Sequence, residues 1–344
     1  MKKQMNPIVF PAEWFPQSGV MLTWPHENTD WNYILDDVTA CYVSIAHEIV
    51  KHERLLVVCQ DEMKVRSLLS DIEDKVIFKR LETNDTWARD HGPITVFVDG
   101  EPCLYDFQFN GWGLKFASNL DNQITRGLYG QDSFSSNTGY FNFLHYVLEG
   151  GSVESDGCGT LLTTAECLLS KNRNEHLQKE EVENFLKDVF GLKRILWLNH
   201  GYLAGDDTDS HIDTLARFCG EDTIAYVQCT DENDEHYAEL KAMEEELKTF
   251  TQLNGEPYRL VPLPMPEPRF EDDFRLPATY ANFLIINQAV LMPFYNCPQD
   301  RVAQSILQKE FPNHEVVGID CTSLIRQHGS LHCVTMQLPI GVLK

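Results

Sequence analysis

The strongest constraint on how this chain can fold is a recurring order of elements. A polar loop opens onto a hairpin, and a helix and a further strand follow, roughly every 50 to 70 residues. Apolar alternation predicts strands at 19–24, 55–59 and 76–81. Between them, Asp30 is placed to cap a helix with apolar positions Ile34, Val38, Cys41, Ile45 and Ile49, and a second helix covers 61–72. Hairpins are predicted at 94–98 with 104–109, 153–155 with 160–164, 215–218 with 223–229, and 283–286 with 290–294. Helices over 177–190, 232–253 and 301–311 each lead to a strand, at 195–198, 259–263 and 316–319, and the last strand begins at Cys333. If 19–24 completes the unit begun at Cys333, five ββαβ units fill the chain. The reading is a propeller-like ring in one domain, 1–344, closed by the two chain ends. Two ordinary α+β domains remain open at this point.

Composition narrows the function classes. The 344 residues are 43% apolar, enough for a real core, and the net charge of −24 argues against nucleic acid and anionic membrane surfaces. It suits a cationic substrate, or simply solubility. Ten cysteines without a CxxC pair give no support to structural zinc or thioredoxin chemistry and match reduced, cytosolic usage. Residues 1–7 hold no apolar stretch long enough for a signal peptide, and no run approaches the about 18 apolar residues of a membrane span. The expected location is cytoplasmic, and a homo-oligomer stays open.

Chemistry-bearing residues fall at equivalent points. Asp90, Glu149, His211 with Asp213, Asn282 and Cys333 each lie just before or at the start of the first hairpin strand of a unit. In a closed ring they would converge on one axial cavity. His211 and Asp213, at i and i+2 of a strand, would share a face. Two carboxylates can grip a planar guanidinium, a thiolate can attack its central carbon, and an imidazole can protonate ammonia and then activate water. Cys333 follows Gly329, which would permit unusual backbone angles; His328 and His332, first candidates for favouring its thiolate, take loop and packing roles once His211 is the partner. Trp87 offers a ring face to a cation, and Trp112 lines a pocket or packs. A rival reading gives the aspartates and histidine of 206–213 a metal, though the EF-hand glycine and glutamate are absent. His47-Glu48-Ile49-Val50-Lys51-His52 has one residue too many for a zinc-protease helix and reads as an exposed helix face. The Pro-rich stretch 262–277 is an irregular loop, either a lid or a surface insertion.

Seven segments then acquire a common meaning: WARDHGP at 87–93, FNGWG at 109–113, LEGGS at 148–152, LLTTAECLLSKNRN at 161–174, DDTDSHIDTLARF at 206–218, YANFLIIN at 280–287 and HGSLHCVTMQLP at 328–339. In this order they resemble the agmatine deiminases of the bacterial peptidyl-arginine deiminase family. The resemblance implies a five-bladed α/β propeller of ββαβ modules around a central active-site cavity, the pentein fold. It implies Cys333 as nucleophile, His211 as general acid and base, Asp90 and Asp213 as guanidinium carboxylates, Glu149 as a supporting carboxylate and Asn282 as a pocket residue. The implied reaction hydrolyses agmatine to N-carbamoylputrescine and ammonia through a covalent amidino-thioether, with no metal and no organic cofactor. Deimination of peptidyl-arginine or another guanidine is the nearest alternative. A metal-dependent hydrolase using 206–213 and a non-enzymatic acidic polyamine binder are the others.

Overall fold

The computed structural model describes residues 7–344; of the N-terminal stretch read for a leader, residues 1–6 lie outside the described residues. The chain is a mixed α/β protein built from several small sheets. Five of them share one pattern, an antiparallel pair extended by a parallel strand. The two chain ends meet in the first. Thr335–Pro339 runs antiparallel to Gln17–Thr23, with Met336 opposite Met21, and Arg54–Cys59 and Val76–Arg80 add in parallel. The antiparallel pairs of the other four are Ile94–Val98 with Glu101–Gln108, Val153–Ser155 with Thr160–Thr164, Ala216–Gly220 with Thr223–Gln228, and Leu284–Ile286 with Ala289–Phe294. Their parallel strands are Gly139–Val147, Arg194–Leu198, Arg259–Pro264 and Glu315–Asp320. Parallel neighbours need a crossover, and helices Leu35–Ile49, Lys179–Phe190, Tyr237–Leu247 and Gln299–Glu310 supply four of them.

Local chemistry explains most boundaries. Helix Leu35–Ile49 buries Val38, Tyr42, Ile45 and Ile49 on one stripe. Asp30 does not cap it: the chain enters through a 3₁₀ turn, Asp30–Ile34, without a side-chain cap. Helix Glu62–Leu68 is capped by Asp61, whose carboxylate accepts the Lys64 N–H at 3.0 Å. The charged helix is shorter than its composition suggests. Asp231 and Asp234 hold the backbone N–H groups of Asn233 and His236 in local turns, at 3.0 and 2.9 Å, and delay its start to Tyr237. The 262–277 stretch is more ordered than its prolines imply. Pro262 and Pro264 lie on an edge strand, where a lost donor costs little, and Phe270–Glu271 pairs with Phe274–Arg275 as a small hairpin. The nine-residue strand Gly139–Val147 has no counterpart in the sequence reading, because its residues alternate poorly between exposed and half-buried. His47 projects from its helix to Asp71 at 2.9 Å, as an exposed-face residue should. Among the described residues no helix is long and apolar enough to cross a membrane.

One buried cation joins these sheets. Arg217, fully buried on Ala216–Gly220, lies 2.9 Å from Glu13 of the N-terminal segment and 2.9 Å from Glu154 of the third sheet. It also donates to the Phe283 carbonyl at 2.6 Å and covers the Phe283 ring. Removing one partner of a buried pair leaves the other charge uncompensated, at about 3–5 kcal/mol. Arg217→Met should therefore lower unfolding stability by about that amount, read as a lower urea midpoint at unchanged slope. A loss under about 1 kcal/mol would show that Glu13 and Glu154 do not depend on it.

Candidate active site

Cys333 sits in the turn 331–334, two residues before the strand that sequence periodicity starts at it. Asn282 grips that turn. Its Oδ1 accepts the His332 N–H at 2.9 Å, and its Nδ2 lies 3.3 Å from both Cys333 Sγ and the Asp213 carbonyl. Arg89 donates its backbone N–H to the Cys333 carbonyl at 3.1 Å. Gly329 is required by proximity rather than by backbone angle. A Cβ there would lie 2.1 Å from the Trp87 ring, while His328 is the residue with positive φ, 67°.

Four further side chains meet this thiol or one another. Asp213 Oδ2 is 3.8 Å from Cys333 Sγ. Asp90, on the short helix Ala88–His91, accepts the Trp112 indole N–H at 2.9 Å and the Gly151 N–H at 2.9 Å, and lies 3.6 Å from His211 Nδ1. His211 and Asp213 are not on a strand. They flank the start of the 3₁₀ turn Ile212–Thr214, which still brings them into one site. Gly151 forms the floor: a Cβ there would come within 2.7 Å of His211 Nδ1, 2.9 Å of Asp90 and 3.1 Å of Asp213. Trp112 is held in a left-handed backbone at φ 54°, between Gly111 and Gly113 at 68° and 82°. A bulky residue in that region is strained, and here the strain aims the indole at Asp90.

Glu149 stands apart from Cys333. Both of its oxygens take the Arg173 Nε at 3.0 Å, and Arg173 also holds Asp209 at 2.6 Å, the aspartate that Lys115 engages from outside at 2.7 Å. The carboxylates of 206–213 do not converge. Asp206 accepts from Thr208 and Ser210 of its own loop at 2.6 and 2.7 Å, and Asp209 is clamped as described. The donor atoms that do cluster, within 4.8 Å of one another, belong to Glu149, Cys167 and His211, and Arg173 already claims that carboxylate.

An open cleft of about 650 Å³ reaches Cys333, walled by Trp87, Trp112 and Phe116 and bordered by Asp30, Asp85, Asp206 and Asp207. Burial, and then Asp213 and Asp90, push the Cys333 thiol well above its ordinary value. Burial opposes charge on His211, but Asp90 and then Cys167 outweigh it and carry the imidazole up to about 10. Burial raises the Asp90 carboxyl. Burial opposes charge on Asp213 too, but the bond to His332 overcomes it and the carboxyl is lowered.

Sequence reasoning left His332 to packing. The structure makes it a hub, with Nδ1 2.7 Å from Asp213 Oδ2 and Nε2 2.7 Å from Glu13 Oε2. Glu13, Arg89, Arg173 and Arg217 carry no expectation at all. Arg89, Arg173 and Arg217 lie inside recognised segments, but Glu13 is 319 residues from His332 and nothing local marks it.

Solved structures resemble the whole chain. A Porphyromonas gingivalis protein provisionally assigned as an arginine deiminase is 54% identical, with a TM-score of 0.95 over 98% of this chain and 100% of that one. The C. jejuni agmatine deiminase with substrate bound is 40% identical, with a TM-score of 0.93 over 100% of this chain and 99% of that one. The agmatine deiminase of Pseudomonas syringae pv. syringae is 33% identical over 357 residues, 96% of this chain and 95% of that protein. A sequence model of the Porphyromonas-type peptidyl-arginine deiminase family matches residues 9–339, and the chain belongs to that family.

Proposed function

We propose that the protein is an agmatine deiminase, a single catalytic domain over 1–344 whose five like sheets ring the cleft as a five-bladed α/β propeller. Cys333 and Asp90 line one cleft, with Asp213 3.8 Å from the Cys333 thiol and His211 3.6 Å from Asp90; this arrangement carries the reading, and the similarity to agmatine deiminases over nearly full length supports it. Ten free cysteines suit a cytoplasmic setting.

The roles follow from charge and reach. Asp90 and Asp213 hold the guanidinium, and Trp87 and Trp112 flank it. The substrate cation offsets the two carboxylates that oppose thiolate formation, so Cys333 releases its proton to solvent in the open cleft as substrate binds. The thiolate adds to the guanidinium carbon. His211, cationic at neutral pH, protonates one amino group, and ammonia leaves an amidino-thioether. The now neutral His211 takes a proton from water, whose oxygen adds to the same carbon. Collapse expels the thiolate and yields the ureido product. Asn282 orients Cys333, and Glu149, with a carboxylate oxygen within 4.8 Å of a His211 ring nitrogen, supports the imidazolium. No step calls for a cofactor.

The cleft favours a cationic tail. Among the described residues, its walls carry Asp30, Asp85, Asp206 and Asp207 and neither lysine nor arginine. That leaves an α-carboxylate without a partner and ranks agmatine above free arginine. The likeness to a protein assigned as an arginine deiminase favours the second reading. Ammonia release from agmatine, arginine and a peptidyl-arginine separates them: agmatine should lead in kcat/KM, and a peptidyl-arginine that outruns it would replace the proposal.

Three variants and one profile test the roles. Cys333→Ala should lower kcat by at least about 10⁴-fold, and His211→Asn by about 10²–10⁴-fold; full turnover by either variant refutes its assignment. Asp90→Asn should raise the KM for agmatine by about 30-fold or more, the size expected for truncating one side of a buried charge pair. The pH profile has a definite sign. Asp90 must be ionised to bind the cation and burial raises its pKa, so kcat/KM should climb with pH on a limb above the ordinary carboxylate range of about 4. It should fall again near 10 as His211 loses the proton it donates. An acid limb at or below about pH 4 would exclude Asp90 from that role.

A further inference from the structure

Behind the guanidinium site runs a chain of buried ionic groups that the proposed chemistry does not use. His332 is 2% exposed and stands between two carboxylates, Asp213 and Glu13, at 2.7 Å each. An ionised carboxylate only accepts hydrogen bonds, so both ring nitrogens must donate. The ring then carries a positive charge, and two negative neighbours hold it there. Glu13 is in turn surrounded by cations, with Arg217 at 2.9 Å and Arg89 at 3.6 Å, and its other oxygen accepts the Ile285 N–H at 2.7 Å. Glu13 therefore has compensation on every side and stays charged in the interior. Burial opposes that charge, but the surrounding cations, Arg217 first, outweigh it and depress the carboxyl far below the ordinary range.

We propose that Glu13 and His332 are positioning residues of this active site: Glu13 orients His332 with a proton on each nitrogen, and His332 keeps Asp213 ionised and aimed beside the Cys333 thiol. The inference rests on the deiminase reading above, because it assigns Asp213 the guanidinium. Its physical content is separate. Asp213 faces Asp90, Cys333 and His211 on one side and His332, Arg217 and Arg89 on the other. Without a cation bonded to it, Asp213 would share the fate of Asp90, whose carboxyl burial and neighbouring carboxylates push upward. His332 also donates its backbone N–H to Asn282 Oδ1 at 2.9 Å, so its ring and its backbone fix two sides of Cys333. In a Glu13→Gln protein the neutral amide still accepts from Nε2 but no longer stabilises the ring's charge. The ring then faces Arg89 and Arg217 without the charge that balanced them, and its hold on Asp213 weakens.

The experiment compares the unaltered enzyme with Glu13→Gln, His332→Gln, the double variant and Glu154→Gln, using kcat, KM and thermal midpoint from pH 5 to 10. Glu154 bonds Arg217 at 2.9 Å and makes no hydrogen bond to His332, so it reports loss of a neighbouring buried carboxylate with the Glu13–His332 bond intact. Both single variants should raise the KM for agmatine at least about 10-fold with a smaller change in kcat, and move the acid limb of kcat/KM upward by about one pH unit. The double variant should match either single one rather than their sum. Glu154→Gln should lower the midpoint and leave KM and limb in place. Additive losses in the double variant, an unmoved limb in Glu13→Gln, or an equal limb shift in Glu154→Gln would each overturn the proposal. If Glu13→Gln does not fold, ¹⁵N spectra of the unaltered protein at pH 7 decide. Two protonated His332 nitrogens support the proposal, and one bare nitrogen overturns it. An unaltered protein that turns over no guanidine would instead overturn the deiminase reading.

Discussion

The rest of the structure depends on how Arg217 is accommodated. A fully buried guanidinium is costly to desolvate and persists only with opposite charge and acceptors around it. Here that compensation comes from three distant segments: Glu13 near the N-terminus, Glu154 in the third sheet and the carbonyls before Leu284–Ile286. Burying the cation thus requires those segments to meet. Once they meet, Glu13 stands beside His332, His332 beside Asp213, and Asp213 beside Cys333. One ionic chain connects the joint between sheets to the Cys333 thiol.

The same electrostatics explain why the site suits a cation. Asp90 and Asp213 face a buried thiol and oppose its ionisation, so this is not an environment that generates a thiolate unaided. A guanidinium between the aspartates reverses the balance. At about 4 Å and an effective dielectric near 20, one charge pair is worth about 4 kcal/mol before desolvation is counted, enough to move a thiol by more than two pH units. Binding and activation of the proposed nucleophile become one event, and an uncharged molecule in the cleft would leave Cys333 protonated.

Close backbone packing accompanies this charge arrangement. A Cβ at Gly151 would lie 2.7 Å from His211 Nδ1, and one at Gly329 2.1 Å from the Trp87 ring, so neither position has room for a side chain. The left-handed turn through Trp112 accepts backbone strain and gains a fixed indole donor on Asp90. These positions read as loop glycines in the sequence, and only their neighbours in space show that they are packed surfaces.

Much of this was legible in the linear chain. Periodicity located most of the hairpins, the parallel strands other than Gly139–Val147, and the pairing of the two chain ends, because alternation and turn residues act over short distances. Equivalent positions in the repeat pointed to Asp90, Glu149, His211, Asp213, Asn282 and Cys333 as neighbours, and Glu149 lies within 4.8 Å of His211, its carboxylate held by Arg173. Other features were set by distance in sequence. His211 and Asp213 occupy a 3₁₀ turn rather than a strand because tertiary hydrogen bonds, such as Thr279 Oγ1 to the Thr214 carbonyl at 2.9 Å, outweigh local preference. Nothing in the sequence singles out Glu13, and His332 reads as a packing residue. Their meaning comes from a 2.7 Å bond across 319 residues, and desolvation, which only the folded interior imposes, turns those two side chains into a charged support for the site. Residue order alone established which side chains could grip and attack a guanidinium. Folding chose the charges that surround them, because the energy of a charge depends on what excludes water from it.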